Sequence, residues 1–405
     1  MTEASVRVLH TAEEWDRIEG EWRALHAACP LGQPPQRWDW LREWWRLYGP
    51  AYSTPDGLRI LTVWEGEQLA GALPFYLRRA EHPYAPRRLC LLSTGEAEVE
   101  ETCPDYLDLL ARPGAAEICL RAMKGALEGP ETQPWDEIEC PGLAEDSPLH
   151  GWATGLENGA RAVSTPLGEC VMADLSAGFD GYLSTRSSNF RSQGRRLLRS
   201  VEKEGLRFDV AATESEVDEF YRQLVELHQA RWTAVGRPGC FSAERFTRLH
   251  HTLARRGLET GEALLCRLAR ANGEAVGVVY GFPAGNRFQF YQCGIGARRV
   301  GHLESPGVAL QLLLMRWVAE ERGIQEYDFL RGSAAYKERF ASRTRALLRL
   351  SVTRPTARHY AGGAWSLATR GGRKLARILA ARRGGAASTP APENTTERPP
   401  VEVGS

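Results

Sequence analysis

The chain has 405 residues and 43% of them are hydrophobic, which is enough to build two or three packed domains and too much for a disordered chain. Lysine plus arginine and aspartate plus glutamate balance at 51 each, so no global field draws the protein to DNA or to an anionic membrane. The first residues lack the basic-then-apolar pattern of a secretory signal, and the best apolar run, Val308 to Ala319, is broken by Gln311 and Arg316; the expected location is the cytoplasm.

In chain order, Glu14 to Tyr48 reads as amphipathic helices bearing Trp15, Trp22, Trp38, Trp40, Trp44 and Trp45, a stripe expected to be core. Two apolar runs about Gly66-Glu67 predict a β-hairpin. Further strands are predicted at "RRLCLLST" and "YLDLLA", a helix from Ala115 to Glu128, and a strand at "WDEIEC". The second half repeats this order: two apolar runs about Gly273-Glu274, a strand "RFQFYQCGIG", a helix opening at Ser305, and a strand "EYDFLRG". Gly66-Glu67 maps to Gly273-Glu274 and Trp135-Asp136 to Tyr327-Asp328, at offsets of 207 and 192 residues, which indicates a duplicated unit with altered loops. The expected fold class is therefore α/β with mixed sheets, as two tandem units spanning 1–175 and 176–355. Residues 356–405 form a basic segment and a low-complexity tail. The basic part, 360–383, is a solvated helix or a weak contact for an anionic membrane surface.

Three stretches of the second unit carry candidate chemistry. Residues 185–200 hold Arg191 and Arg195 among five arginines without an acid, and a guanidinium fork suits phosphate or carboxylate. Residues 291–313 run from a strand end at Tyr291 through Gly294, Gly296, Arg298, Arg299 and His302 to a helix start at Ser305-Pro306-Gly307-Val308. Free N–H groups in that first turn can hold an anion. The third stretch, "YDFLRGSAAYKERF", places Asp328, Arg331, Tyr336 and Lys337 at a strand end predicted to lie beside the glycine loop. There is no H-E-x-x-H, no G-x-S-x-G and no G-x-x-x-x-G-K-[ST], and nine cysteines lie scattered without a C-x-x-C pair. Metal, serine-hydrolase and P-loop chemistries therefore lack their parts.

The S-x-N-x-R of Ser187 to Arg191, then "LHQARWTAVGRPGCF", "GVVYGF", "YQCGIG", "ESPGVALQLL" and "YDFLRGSAAYK", in this order and spacing, resemble the GNAT superfamily acyltransferases of the cellulose-biosynthesis-associated branch. These are related to the Fem-type aminoacyl transferases with two GNAT-like units. The resemblance covers roughly residues 10 to 350. It implies a degenerate first unit, a catalytic second unit and transfer of an acyl group from a thioester, acyl-CoA in the first instance, to an amine, with no metal. An acyl-carrier protein or an aminoacyl-tRNA as donor and a catalytically inactive scaffold are the alternatives. One departure stands out: Tyr291 occupies the first place of the family's R/Q-x-x-G-x-G/A signature, and Ser305 follows Gly296 only after eight intervening residues.

On that resemblance, the donor is expected between the strands Phe288 to Gly294 and Glu326 to Leu330. Asp328 either orients or deprotonates the amine, or else pairs with Arg331 or Lys337 and pins the turn. Lys337 or Arg331 would neutralise developing charge. Tyr291 or Tyr336 would protonate the leaving sulfur, with His302 as a rival base. His228, Arg231 and Trp232 on "YRQLVELHQARW" are expected beside the acceptor.

Overall fold

The computed structural model describes residues 4–156, 159–296, 298–332 and 335–365. The basic positions from Arg370 to Arg383 lie outside the described residues. The first half runs β1 (Ala4–Leu9), α1 (Ala12–Asp16), α2 (Glu19–Ala28), α3 (Trp38–Tyr52), β2 (Ser53–Glu65), β3 (Gln68–Arg78), β4 (Arg88–Leu91), β5 (Leu110–Ala111), α4 (Ala116–Glu128), β6 (Glu137–Ala144), α5 (Pro148–Thr154) and β7 (Arg161–Asp174). The second half runs α6 (Gly178–Thr185), α7 (Ser188–Lys203), β8 (Arg207–Val210), α8 (Glu214–Ala234), α9 (Glu244–Thr260), β9 (Leu264–Ala269), β10 (Ala275–Ala284), β11 (Arg287–Ile295), α10 (Pro306–Arg322), β12 (Glu326–Arg331), α11 (Ala335–Glu338) and β13 (Arg343–Thr353).

The duplication is physical. β1 to β6 and β8 to β12 follow one plan: a strand, helices, an antiparallel meander of three strands, a helix, and a strand returning parallel to the last of the meander. Even the helix starts match, because α1 and α8 each open with a capping box, Thr11 with Glu14 and Thr213 with Glu216. The parallel pair is equally short in both halves, Arg88 to Cys90 on Glu137 to Glu139 and Arg287 to Gln289 on Glu326 to Asp328.

All strands lie in one sheet, in the order β1-β2-β3-β4-β6-β13-β7-β12-β11-β10-β9-β8, with β5 pairing β3 at the side. The centre of that order is an exchange. β7, the strand after β6, pairs with β12, while β13, the strand after β12, pairs with β6; β7 and β13 then pair with each other along most of their length. The predicted strand "YLDLLA" is confined to Leu110–Ala111, because residues 92–109 form an irregular loop with left-handed backbone at Ser93, Cys103 and Tyr106.

The expected aromatic core is present. Trp15, Trp22, Trp38, Trp40 and Trp44 are buried, and Trp45 packs at the rim. This cluster continues across the join: Trp40 meets His250, Phe282 and Tyr291 edge-on at 5.2, 5.2 and 5.8 Å. The two halves are thus welded by one sheet and one apolar cluster. No described helix is long and apolar enough to cross a membrane.

Candidate active site at the β11–β12 opening

The parallel ladder between β11 and β12 stops at Gln289 and Asp328, yet both strands continue. Each then bulges. On β11, Gln292 pairs with Tyr280 and Phe290 with Gly281, so Tyr291 is the extra residue. On β12, Asp328 pairs with Met172 and Arg331 with Cys170, and Leu330 adopts a left-handed φ of 54° between them. The result is a wedge whose β12-facing edge of β11 has no strand partner beyond Gln289 among the described residues.

Asp328, Arg331, Tyr336 and Lys337 all gather at this opening. Asp328 is fully buried; its Oδ1 accepts the Leu330 N–H at 2.8 Å, and its Oδ2 lies 3.9 Å from Arg287 Nη1. Lys337 Nζ donates to the carbonyls of Phe329 at 2.9 Å and Arg331 at 3.3 Å. The carboxylate and the ammonium therefore hold the same bulge from two sides. Arg331 itself turns to Asp105 of the first half, whose Oδ2 accepts its backbone N–H at 2.8 Å. The contacts of Asp328 at the turn are to the Leu330 backbone and Arg287, with the Tyr106 hydroxyl also acting on its carboxyl and its charge felt by Lys337.

Burial raises the Asp328 carboxyl to about 6, against the pull of Arg287 and the Leu330 N–H. Desolvation also lowers Lys337. Because the folded-state value of Asp328 lies above its ordinary 3.8, the protonated folded form is favoured. Its contribution to stability is present below about 4 and is lost as pH rises through about 6. The difference in stability between the wild type and Asp328→Asn, followed by denaturant titration from pH 4 to 8, is expected to show that single step.

Tyr336 is half-buried on α11, with Cys293 of β11 and Arg231 of α8 near enough for their charges to act on its hydroxyl; burial raises that hydroxyl, which keeps its proton. Tyr291 is placed differently. Its hydroxyl is fully buried, lying 2.7 Å from the Thr102 carbonyl, to which it donates, and 2.9 Å from His250 Nε2, which fixes it in the join. His302 is exposed on the loop before α10, where its backbone N–H donates to Glu204 Oε1 at 2.8 Å, tethering the loop to α7.

The glycines also divide. A Cβ at Gly294 would meet Leu227 Cβ at 2.7 Å, Leu224 O at 2.8 Å and the His228 nitrogen at 2.9 Å, and one at Gly296 would meet Leu227 Cδ2 at 3.0 Å. Both glycines admit α8 against β11 and do not themselves form a cradle for a ligand. Arg298 and Arg299 are exposed just beyond. α10 begins as expected with Ser305 before Pro306, but the Ser305 hydroxyl makes no capping bond, so the first-turn N–H groups of Gly307 and Val308 are left to other partners.

On α8, Trp232 Nε1 donates to His228 Nε2 at 2.8 Å, so the His228 proton sits on Nδ1 facing Gln229 Oε1 at 3.1 Å. Burial lowers this imidazole to about 4 and keeps it neutral. Arg191 caps the end of α6 through the carbonyls of Ser184 and Arg186. Arg195 lines a cavity of about 460 Å³ with Leu313, Arg316 and Trp317, toward the far end of α10 from its first turn. These two arginines are thus not brought to the opening. Among the described residues, no group of three or more His, Cys, Asp or Glu side chains could hold a metal ion.

Asp105, Tyr106 and Arg287 are functional candidates that sequence reading passed over. Tyr106 opens the segment read as a strand and Asp105 stands just before it, and Arg287 looks like any strand-end cation.

The family described as the Acetyltransferase (GNAT) domain matches residues 188–338. No curated protein matches the chain in sequence. Among solved structures, FemX superposes with a TM-score of 0.56 at 12% identity, over 85% of this chain and 96% of FemX. The C-terminal domain of a protein described as a lysylphosphatidylglycerol synthetase from Agrobacterium fabrum gives 0.50 at 12%, over 87% and 96%. A tandem GNAT protein from the clavulanic acid biosynthesis pathway gives 0.45 at 14%, over 87% and 100%. Residues 188–338 are therefore similar to an acetyltransferase (GNAT) domain, and the chain shares the fold of FemX.

Proposed function

We propose that this GNAT-type N-acyltransferase moves an acyl group from a thioester donor, acyl-CoA, to an amine of a small molecule, peptide or glycan, in the cytoplasm. The observation that carries the reading is the opening between β11 and β12, with a bulge on each strand and the Tyr336 hydroxyl near Cys293 of β11. In this reading the first unit spans 1–175 and the working unit 176–355, and the chain sides with the cellulose-biosynthesis-associated branch. The N–H groups of Gly307 and Val308, with Arg298 and Arg299, receive the donor's phosphates, where the helix dipole favours negative charge.

The neutral amine attacks the thioester carbon, and the carbonyl oxygen takes up negative charge. Free N–H groups on the β12-facing edge of β11 stabilise that oxyanion, a contact of a kind worth about 3 kcal/mol. As the C–N bond is completed the C–S bond breaks, and sulfur leaves with the electron pair. Tyr336 gives it a proton and recovers one from solvent, which takes the proton shed by the amine. Arg231 beside Tyr336, with Trp232 and His228 behind it, borders the acceptor. Asp328, Arg331 and Lys337 keep the opening in shape.

The test is a thermal-shift series with acetyl-CoA, a long-chain acyl-CoA and free CoA. It is followed by thiol release from acetyl-CoA with an alkylamine, glucosamine and a lysine peptide as acceptors. Saturating donor at a hundredfold over its Kd is expected to add about 2.7 kcal/mol of stability. No shift with any of the three would overturn the acyl-CoA reading. It would favour the second one, aminoacyl transfer from a charged tRNA or a carrier-protein thioester, which the FemX-like fold supports.

A further inference from the structure

The connection from β4 to α4 in the first half corresponds in the repeat to the glycine loop from β11 to α10 in the second. It does not stay at its own strand end. Residues 92–109 run into the join, anchored by the Trp40 Nε1–H to Ser93 Oγ at 2.8 Å, Tyr291 O–H to the Thr102 carbonyl at 2.7 Å, and Tyr48 O–H to the Glu100 carbonyl at 3.1 Å. Besides Ser93 at φ 68°, the loop holds two more non-glycine residues in left-handed backbone, Cys103 at φ 43° and Tyr106 at φ 64°, a conformation kept only where surrounding structure imposes it. Between them sits Asp105.

Asp105 is 5% exposed and touches the second half's opening directly. Oδ2 accepts the Arg331 backbone N–H at 2.8 Å and the Cys170 thiol at 3.8 Å; Oδ1 lies 3.5 Å from Arg331 Nε. Four buried polar atoms face one another here in loose geometry: Asp105 Oδ1 opposite Arg331 Nε at 3.5 Å, and the Tyr106 hydroxyl acting on the Asp328 carboxyl, whose Oδ2 lies 3.9 Å from Arg287. Arg331 closes the β12 bulge, so a clamp on Arg331 sets where β12 leaves β11.

We propose that the first half supplies a positioning residue to the second half's transfer site: Asp105, through Arg331, fixes the Leu330 bulge that opens the wedge. The inference rests on the acyl-transfer reading above. A first unit whose own connection has been withdrawn from its strand end is then retained as a wall of its partner's site.

The full-length protein and its Asp105→Asn variant are compared in acetyl-CoA turnover with the amine panel, in melting temperature and in hydrogen exchange of the Leu330 and Arg331 amides. Asp105→Asn is expected to lower kcat by about 10- to 100-fold, the size of a small misplacement of reacting groups, with an unchanged KM for acetyl-CoA. Exchange at the two amides should quicken. Combining it with Arg331→Gln should cost no more than either change alone. Wild-type kcat in a folded Asp105→Asn protein, or effects of the two changes that simply add, overturns the clamp. Should Asp105→Asn fail to fold, Asp105→Glu, which displaces the oxygen that accepts the Arg331 N–H, carries the same expectation, and wild-type kcat there overturns it. If the wild type turns over no thioester at all, the functional reading has failed on its own. The exchange measurement still decides the clamp, since unquickened amides refute it.

Discussion

Replacing Tyr336 by phenylalanine is expected to lower kcat by about 100-fold while leaving the melting temperature and the KM for acetyl-CoA unchanged. The phenol is half-buried near Cys293 of β11, and burial keeps it protonated at neutral pH, which is the state a general acid needs. Removing one oxygen leaves the ring packed as before, near Phe340 at 6.4 Å, so a stability change is not expected. Thiol release under single-turnover conditions reads the chemical step directly. A Phe variant that releases thiol at the wild-type rate would transfer the acid role to solvent.

The second large effect is on stability. Lys337→Ala is expected to cost about 3 to 5 kcal/mol, because it removes one charge from a buried cluster and leaves its partners behind. Lys337 is 1% exposed, and its ammonium serves the carbonyls of Phe329 and Arg331. Asp105 and Asp328 both act on its charge. Without it, both carboxyls become harder to ionise, so the variant should be least impaired at low pH, where they are protonated. Urea unfolding at pH 5 and pH 8 checks this: an equal loss at both values would mean that packing, not charge, is what Lys337 contributes.

The stretch "YDFLRGSAAYKERF" illustrates how far residue patterns reach. That a carboxylate and cations would gather at a strand end was legible, since apolar alternation up to Leu330 gives way to Gly332 and then to a helix-forming polar run. That Asp328 would spend one oxygen on the Leu330 N–H, and that Arg331 would turn to a partner 226 residues earlier, was not. A single sequence records local preference, whereas such a partner is chosen by the packing of two halves. The same holds for Tyr291, whose hydroxyl is taken by Thr102 and His250, and for Gly294, whose missing Cβ makes room for α8.

By itself the sequence determined the duplicated order of strands and helices, the tryptophan core and the start of α10 at Pro306, because apolar periodicity and turn residues act over a few positions at a time. The tertiary structure alone decided the exchange of β7 and β13, the withdrawal of loop 92–109 into the join and the set of side chains that meet at the opening. Strand exchange leaves the local pattern of each strand unchanged and alters only its neighbour, so no short-range signal records it.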